Sequence, residues 1–343
     1  MSYERGWKAL HLEMPDIIPH TEYCSHPRLV KRVTGSDPRE DDSAWAKFYA
    51  MTDYDFLWNS NDGPGWQGRT TNMGHAVFQE GGTDFDDHIQ CPFKTPEEVL
   101  SFDPVTEYGV PDVVERAAYF EKAFQRGQSA YPALVFPGGY YKTLFSACIQ
   151  AFGWDMFLSS APLDYERFDR VLQGFFEISL ANYKAWAKTS ASVFICHDDI
   201  VWTQGPVFHP DWYRKYVFPR YKKLWNILKE AGKIVLFCSD GDFTLFVDDI
   251  AHAGADGFIF EPLTDLERIT RTYGKTKVII GNVDTRILTF GTREAIRQEV
   301  ERCAALGRDC PGYFFAVGNH IPHNVPMDHV LYYFELIEEL GRR

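Results

Sequence analysis

The chain has 343 residues, 45% hydrophobic content and a net charge of -13, enough apolar material for one large α/β domain. The negative balance argues against nucleic acid and anionic membrane surfaces, which call for clustered Lys and Arg. Seven irregularly spaced cysteines describe no disulfide framework, the first residues lack a signal-peptide core, and no stretch approaches the roughly 20 apolar residues of a membrane helix; a soluble protein of the reducing cytosol is expected.

Residues 1–50 carry prolines at 15, 19, 27 and 38 and read as an N-terminal arm with a short helix near 43–50. Residues 51–343 read as the catalytic domain. From 54 to 68 a short strand runs into a Gly/Pro/Asn-rich loop bearing Trp58 and Trp66. Aromatics so placed either wall a pocket, which makes Trp58 a candidate substrate contact, or seal a rim. Residues 71–89 alternate polar and apolar side chains around glycines, as a hairpin or lid does, with His75, Glu80 and Asp84 facing substrate or solvent. Thr95, Pro96 and Glu98 spell a helix start, and 112–128 an amphipathic helix.

The run 133–136 is a buried strand, after which Gly138 and Gly139 let Tyr140 and Tyr141 approach the pocket closely; Tyr140 is a second candidate substrate contact. The glycines lack phosphate-loop spacing. A helical region follows to about 188, broken at Pro162 and restarted at Asp164. The next strand, 193–196, ends in His197-Asp198-Asp199. Three ionisable groups at the tip of an apolar strand are costly unless they face solvent, a metal or one another. Helical spacing returns from 211 to 231, interrupted by Pro219.

Residues 233–262 form the central βαβ unit: the strand Ile234-Val235-Leu236-Phe237, the polar group Cys238-Ser239-Asp240-Gly241-Asp242, helical spacing through Ile250, Gly254 as C-cap, and a second strand ending at Glu261-Pro262. Strand 278–280 leads to Asn282 and Asp284, candidate substrate contacts. A helix over 293–305 and a strand over 313–317 follow, then Gly318-Asn319-His320 and a closing helix over 327–340. This alternation predicts a parallel sheet closed as a (β/α)8 TIM barrel with an N-terminal extension.

In such a barrel the strand tips surround one opening. Two chemistries fit them. Cys238, Asp240, Glu261 and His320 offer thiolate, carboxylate and imidazole donors for zinc with an open position. Without metal, Asp240, Asp199 and His197 serve as acids beside an aromatic wall. Against these stand plainer roles: Cys238 as a small buried hydrophobe and Asp240 as an N-cap.

SDGD at 239–242, the Gly254-Ala255-Asp256-Gly257 approach to a strand, GNVDTRIL at 281–288 followed by FGTREAI, and GNHIPHNVP at 318–326 resemble the uroporphyrinogen decarboxylase superfamily over about residues 130–335. That superfamily includes the decarboxylase and corrinoid-dependent methyltransferases. The decarboxylase's Arg-rich N-terminal substrate motif has no counterpart here. PDIIPHTEYCSHP, TNMGHAVFQEGG and HDDI are similar to the methyltransferase components of bacterial O-demethylase systems. Resembling methyltransferases hold zinc through a His-x-Cys pair, where this chain has Cys238-x-Asp240, with a further ligand near His320. The resemblance thus implies methyl transfer from an aryl methyl ether to cobalamin in its Co(I) state on a partner corrinoid protein, with zinc as a possible second cofactor. A cofactor-free decarboxylase of tetrapyrrole type, or a non-catalytic barrel binding a small molecule, are the alternatives.

Overall fold

The computed structural model describes residues 3–73 and 89–343; His75, Glu80 and Asp84 of the expected lid lie outside them. Short apolar runs, each following a helix, give the strands of the main sheet, largely buried on both faces, and a two-stranded hairpin with an exposed Trp202 follows the second of them. These are β1 (Gly138–Tyr140), β2 (Val193–His197), the hairpin pair β3 (Val201–Trp202) and β4 (Gly205–Pro206), β5 (Ile234–Ser239), β6 (Gly257–Phe260), β7 (Val278–Ile280) and β8 (Tyr313–Phe314). The main sheet is parallel in the order β1-β2-β5-β6-β7-β8.

Two further segments close the ring. Phe56 bridges Val135 just before β1, and His20 bridges Phe315 just past β8, both in parallel. The Asp55 N–H donates to the His20 carbonyl and joins the two. The architecture is the expected α/β barrel. Residues 19–21, within the stretch expected as a separate arm, are woven into this ring between residues 55–57 and β8.

Inside the ring, Phe56, Val135, Ile195, Leu236, Ile259, Ile280 and Phe314 pack as a buried core, each side chain contributing about 1.5–3 kcal/mol by leaving water. Ala9 and Leu10, from the helix Tyr3–Leu10, belong to the same cluster. Arg5 ties this helix to Asp55 at 2.8 Å and Asp53 at 2.6 Å. A larger apolar layer lies between sheet and helices. Among the described residues no helix is long and apolar enough to cross a membrane.

Helix boundaries follow local chemistry. Thr95 accepts from the Glu98 N–H at the start of Pro96–Leu100, and Asp112 and Asp164 cap Val113–Ala130 and Tyr165–Ala187. Gly254 ends Val247–Ala253 in the left-handed conformation.

Candidate active site at the carboxyl ends of the strands

Strand register brings the tips level: His197 pairs with Cys238, Cys238 with Ile259, and Ser239 with Phe260. Because side chains alternate across a strand, Ile195 and His197 share the inner face, as do Leu236, Cys238 and Asp240. The loop after β5 is fixed by Gly241, whose φ is +80° and where a Cβ would stand 2.6 Å from the Trp202 carbonyl oxygen. Only glycine combines that backbone with that approach, and it lets the β3–β4 hairpin fold over the tip, where the Asp242 N–H donates to Trp202.

His197, Asp199 and Asp240 meet at this mouth. His197 Nε2 lies 3.1 Å from Asp199 Oδ1, which also accepts from the Asp240 N–H at 3.0 Å. Asp199 Oδ2 accepts from the Tyr141 hydroxyl at 2.8 Å. Burial opposes charge on His197, but Asp199, Asp240 and Asp198 outweigh it and raise its pKa above the ordinary imidazole value. Burial likewise works against Asp199 ionising, and the neighbouring imidazole reverses that, holding Asp199 below the usual carboxylate range. Tyr141 is pushed well up by burial and by Asp199, so it is a neutral donor.

Asn319 joins the other side. Its amide donates to Asp240 Oδ2 and to Glu261 Oε1, both at 3.2 Å, and its Oδ1 stands 2.8 Å from His320 Nδ1. Its φ of 68° is left-handed, a region Asn tolerates better than most residues. Glu261 Oε2 accepts from the Gly241 N–H at 2.7 Å. The Trp58 ring meets His197 edge-on at 5.6 Å and Tyr23 at 6.0 Å, and Tyr141 packs edge-on against His197 at 4.4 Å.

The structure therefore gathers His197, Asp199, Asp240, Glu261 and His320, with Trp58 alongside. Of the other expected contacts, Tyr140 and Asn282 are placed elsewhere. Tyr140 is fully buried on the outer face of β1, where its hydroxyl accepts from Asn182; its neighbour Tyr141 reaches the mouth instead. Asn282 is spent on scaffold: its amide donates to the Thr264 and Glu261 carbonyls and its Oδ1 accepts from Arg302. Asp284 caps Thr285–Phe290 and chelates Arg286 at 2.6 Å, which holds its pKa down against its partial burial. It lines a cavity of about 310 Å³ together with Glu261, Asn319 and His320. Asp198 faces outward, away from its two neighbours.

The expected zinc set is rearranged. Among the described residues, His197, Asp199 and Asp240 are the group whose ligand atoms all lie within 4.8 Å of one another. Of the four residues expected to hold metal, only Asp240 is among them. Cys238 is buried in the barrel interior, and burial, reinforced by Asp240, Asp199 and Glu261, holds its thiol protonated. An imidazole with two carboxylates is a chemically apt donor set for a divalent cation.

The family model of uroporphyrinogen decarboxylase (URO-D) matches residues 82–340. A uroporphyrinogen decarboxylase of Carboxydothermus hydrogenoformans is 26% identical over 257 residues, 74% of this chain and 71% of that protein. One of Thermus thermophilus is 27% identical over 74% of this chain and 72% of its own length. Among solved structures, a methyltransferase from Methanosarcina mazei superposes with a TM-score of 0.68 at 16% identity, covering 98% of both chains; this likeness is one of fold. The match over residues 82–340 includes β1 through β8 and every tip residue from Tyr141 to His320, and the chain belongs to the uroporphyrinogen decarboxylase (URO-D) family.

Proposed function

We propose that this protein moves a methyl group from an aryl methyl ether to the cobalt of a corrinoid carried by a partner protein, as the methyltransferase component of a cytosolic O-demethylase. The observation that carries this reading is the charge of the opening. Asp199, Asp240 and Glu261 converge there, and the partners described for them include backbone N–H groups, an amide, a tyrosine and one imidazole. Arg286, which lines a cavity with Glu261, is engaged with Asp284. A tetrapyrrole decarboxylase must hold several substrate carboxylates, a task for arginine forks. A neutral aryl ether needs none, and Tyr23, Trp58 and Tyr141 offer it flat aromatic surface.

A methyl ether reacts poorly because the departing phenoxide holds its charge badly. The corrinoid supplies the Co(I) nucleophile when its carrier docks over the opening. As the C–O bond breaks, its electron pair stays on oxygen, and that oxygen needs a proton or a positive charge. His197 provides the proton: Asp199 orients its ring and favours its charged form, while Tyr141 and the Asp240 N–H hold Asp199 in place. The same His197, Asp199 and Asp240 would hold zinc, which when bound supplies Lewis acidity toward the ether oxygen.

Incubation of the protein with reduced cobalamin and guaiacol is expected to yield methylcobalamin absorbance and catechol. Absence of product across a panel of methyl donors removes the reading. The second reading, decarboxylation of a tetrapyrrole, is favoured by the name shared by the curated relatives, and loss of carboxyl groups from uroporphyrinogen under the same conditions would establish it.

A further inference from the structure

We infer that a groove on the outside of the barrel, between the helices Ala44–Met51 and Val113–Ala130, binds a nucleoside monophosphate. The groove encloses about 720 Å³, within the roughly 300–1,000 Å³ of small-molecule sites. Ala130 and Tyr131 line it just before the chain bridges to Phe56 at Val135 and enters β1. It therefore lies toward the amino ends of the strands, away from the mouth that their carboxyl ends form, and its occupancy does not depend on the methyl-transfer reading.

Three kinds of group line it. Lys122 and Arg126 stand one turn apart on the helix Val113–Ala130. Like charges at that spacing repel, and no Asp or Glu lies three or four positions from either. Among the described residues neither makes an ion pair or a side-chain hydrogen bond. A phosphate, with several acceptor oxygens, can engage an ammonium and a guanidinium together. Trp45, Tyr119 and Tyr131 supply aromatic surface. Tyr119 is 45% exposed, a ring left in water that a stacked base would cover. Asp42 is the one carboxylate in the lining. It lies close enough to Tyr131 to add to the effect of burial in raising that hydroxyl's pKa, and among the described residues it forms no ion pair with either cation. A carboxylate that only accepts suits the hydroxyls of a ribose or the exocyclic amine of a base. Cations, rings and acceptor together match phosphate, base and sugar. Inorganic phosphate would leave the rings uncovered, and a neutral aromatic would leave the cations unmet.

Calorimetry on the full chain at neutral pH with adenosine monophosphate, adenosine and inorganic phosphate separates the parts. Adenosine monophosphate is expected to bind at least about tenfold more tightly than either fragment. The double substitution Lys122→Gln with Arg126→Gln changes two exposed side chains and relieves their repulsion, so the thermal midpoint should hold. It is expected to weaken adenosine monophosphate about tenfold or more and to leave adenosine unchanged. Tyr119→Ala is expected to weaken the nucleotide and adenosine alike, about fivefold, without affecting phosphate. Absence of binding at millimolar adenosine monophosphate overturns the inference. Nucleotide binding indifferent to the double substitution overturns its location, and phosphate binding as tight as the nucleotide overturns the nucleoside part and leaves a plain anion site. None of these readouts passes through methylcobalamin, so this site and the methyl-transfer reading fail separately.

Discussion

Asp240 stands among like charges, with Asp199 bonded to its own N–H and Glu261 reached through the same Asn319 amide. Such crowding costs folding energy and is kept where a site needs it. Asp240→Asn retains shape and an acceptor for Asn319 while removing one negative charge. It is expected to lower methyl transfer at least about 100-fold while leaving the thermal midpoint unchanged or raised. A large fall in the midpoint would assign Asp240 to the scaffold. Cation content measured on the same variant tells whether its carboxylate also serves as a ligand: replacing one anionic donor of three by a neutral amide oxygen is expected to lower bound zinc about tenfold or more.

Side-chain parity along a strand decides which tip residues reach the mouth. Ile195 is interior, so His197 and Asp199 follow it inward while Asp198 turns outward; Val135 is interior, so Tyr141 falls on the inner parity and Tyr140 on the outer. That signal was available in the sequence and separates Tyr141 from Tyr140. Asn282 escapes it, because β7 ends at Ile280 and alternation is not maintained through the loop beyond. Outward-facing Asp198 does structural duty. The helix Phe145–Ser160 begins at Leu144, which has no capping side chain, and Asp198 accepts from the Leu144, Phe145 and Ser146 N–H groups at 3.0, 3.1 and 2.6 Å and from the Tyr221 hydroxyl at 2.5 Å. Burial pushes its pKa up to about 6, with these donors opposing. Asp198→Ala leaves the N–H groups of a buried helix start without a partner and is expected to cost about 3 kcal/mol in urea unfolding. The loop that delivers Tyr141 should loosen with it. Asp198→Asn, which restores an acceptor, should recover part of that loss.

At the scale of the whole barrel, the long apolar strands and capped helices were legible because each carries its signal locally: the runs at β2, β5 and β6, the Thr95 cap and the Gly254 terminator. Ring closure by residues 19–21 was not, because a segment that opens on Pro19, four residues after Pro15, shows no strand periodicity and is extended only through partners about 35 and 295 positions away, Asp55 and Phe315. Glu22 secures that closure. It is 2% exposed, accepts from the Val317 N–H at 2.8 Å, and meets the Tyr333 hydroxyl of the helix Met327–Leu340 at 2.5 Å. Burial raises its pKa to about 8, against the opposing effect of Tyr333 and Val317. A carboxyl group that holds its proton more tightly when folded contributes stability in full below its unfolded pKa, and that contribution fades as pH rises toward 8. His20, 3.6 Å away, has its pKa lowered to about 3 by burial, so it changes stability in the opposite sense, but only below its unfolded pKa of about 6.5. Between about pH 6.5 and 8 the Glu22 effect is separable, with a slope of at most about 1.4 kcal/mol per pH unit. Glu22→Gln mimics the neutral acid at every pH. Unfolding free energies of the two proteins, measured by denaturant across this interval, are expected to diverge as pH rises, the unmodified chain losing up to about 2 kcal/mol relative to the variant. Parallel pH curves would mean that Glu22 is ionised in the folded barrel, with its charge met by the Val317 N–H, Tyr333 and the neighbouring His20.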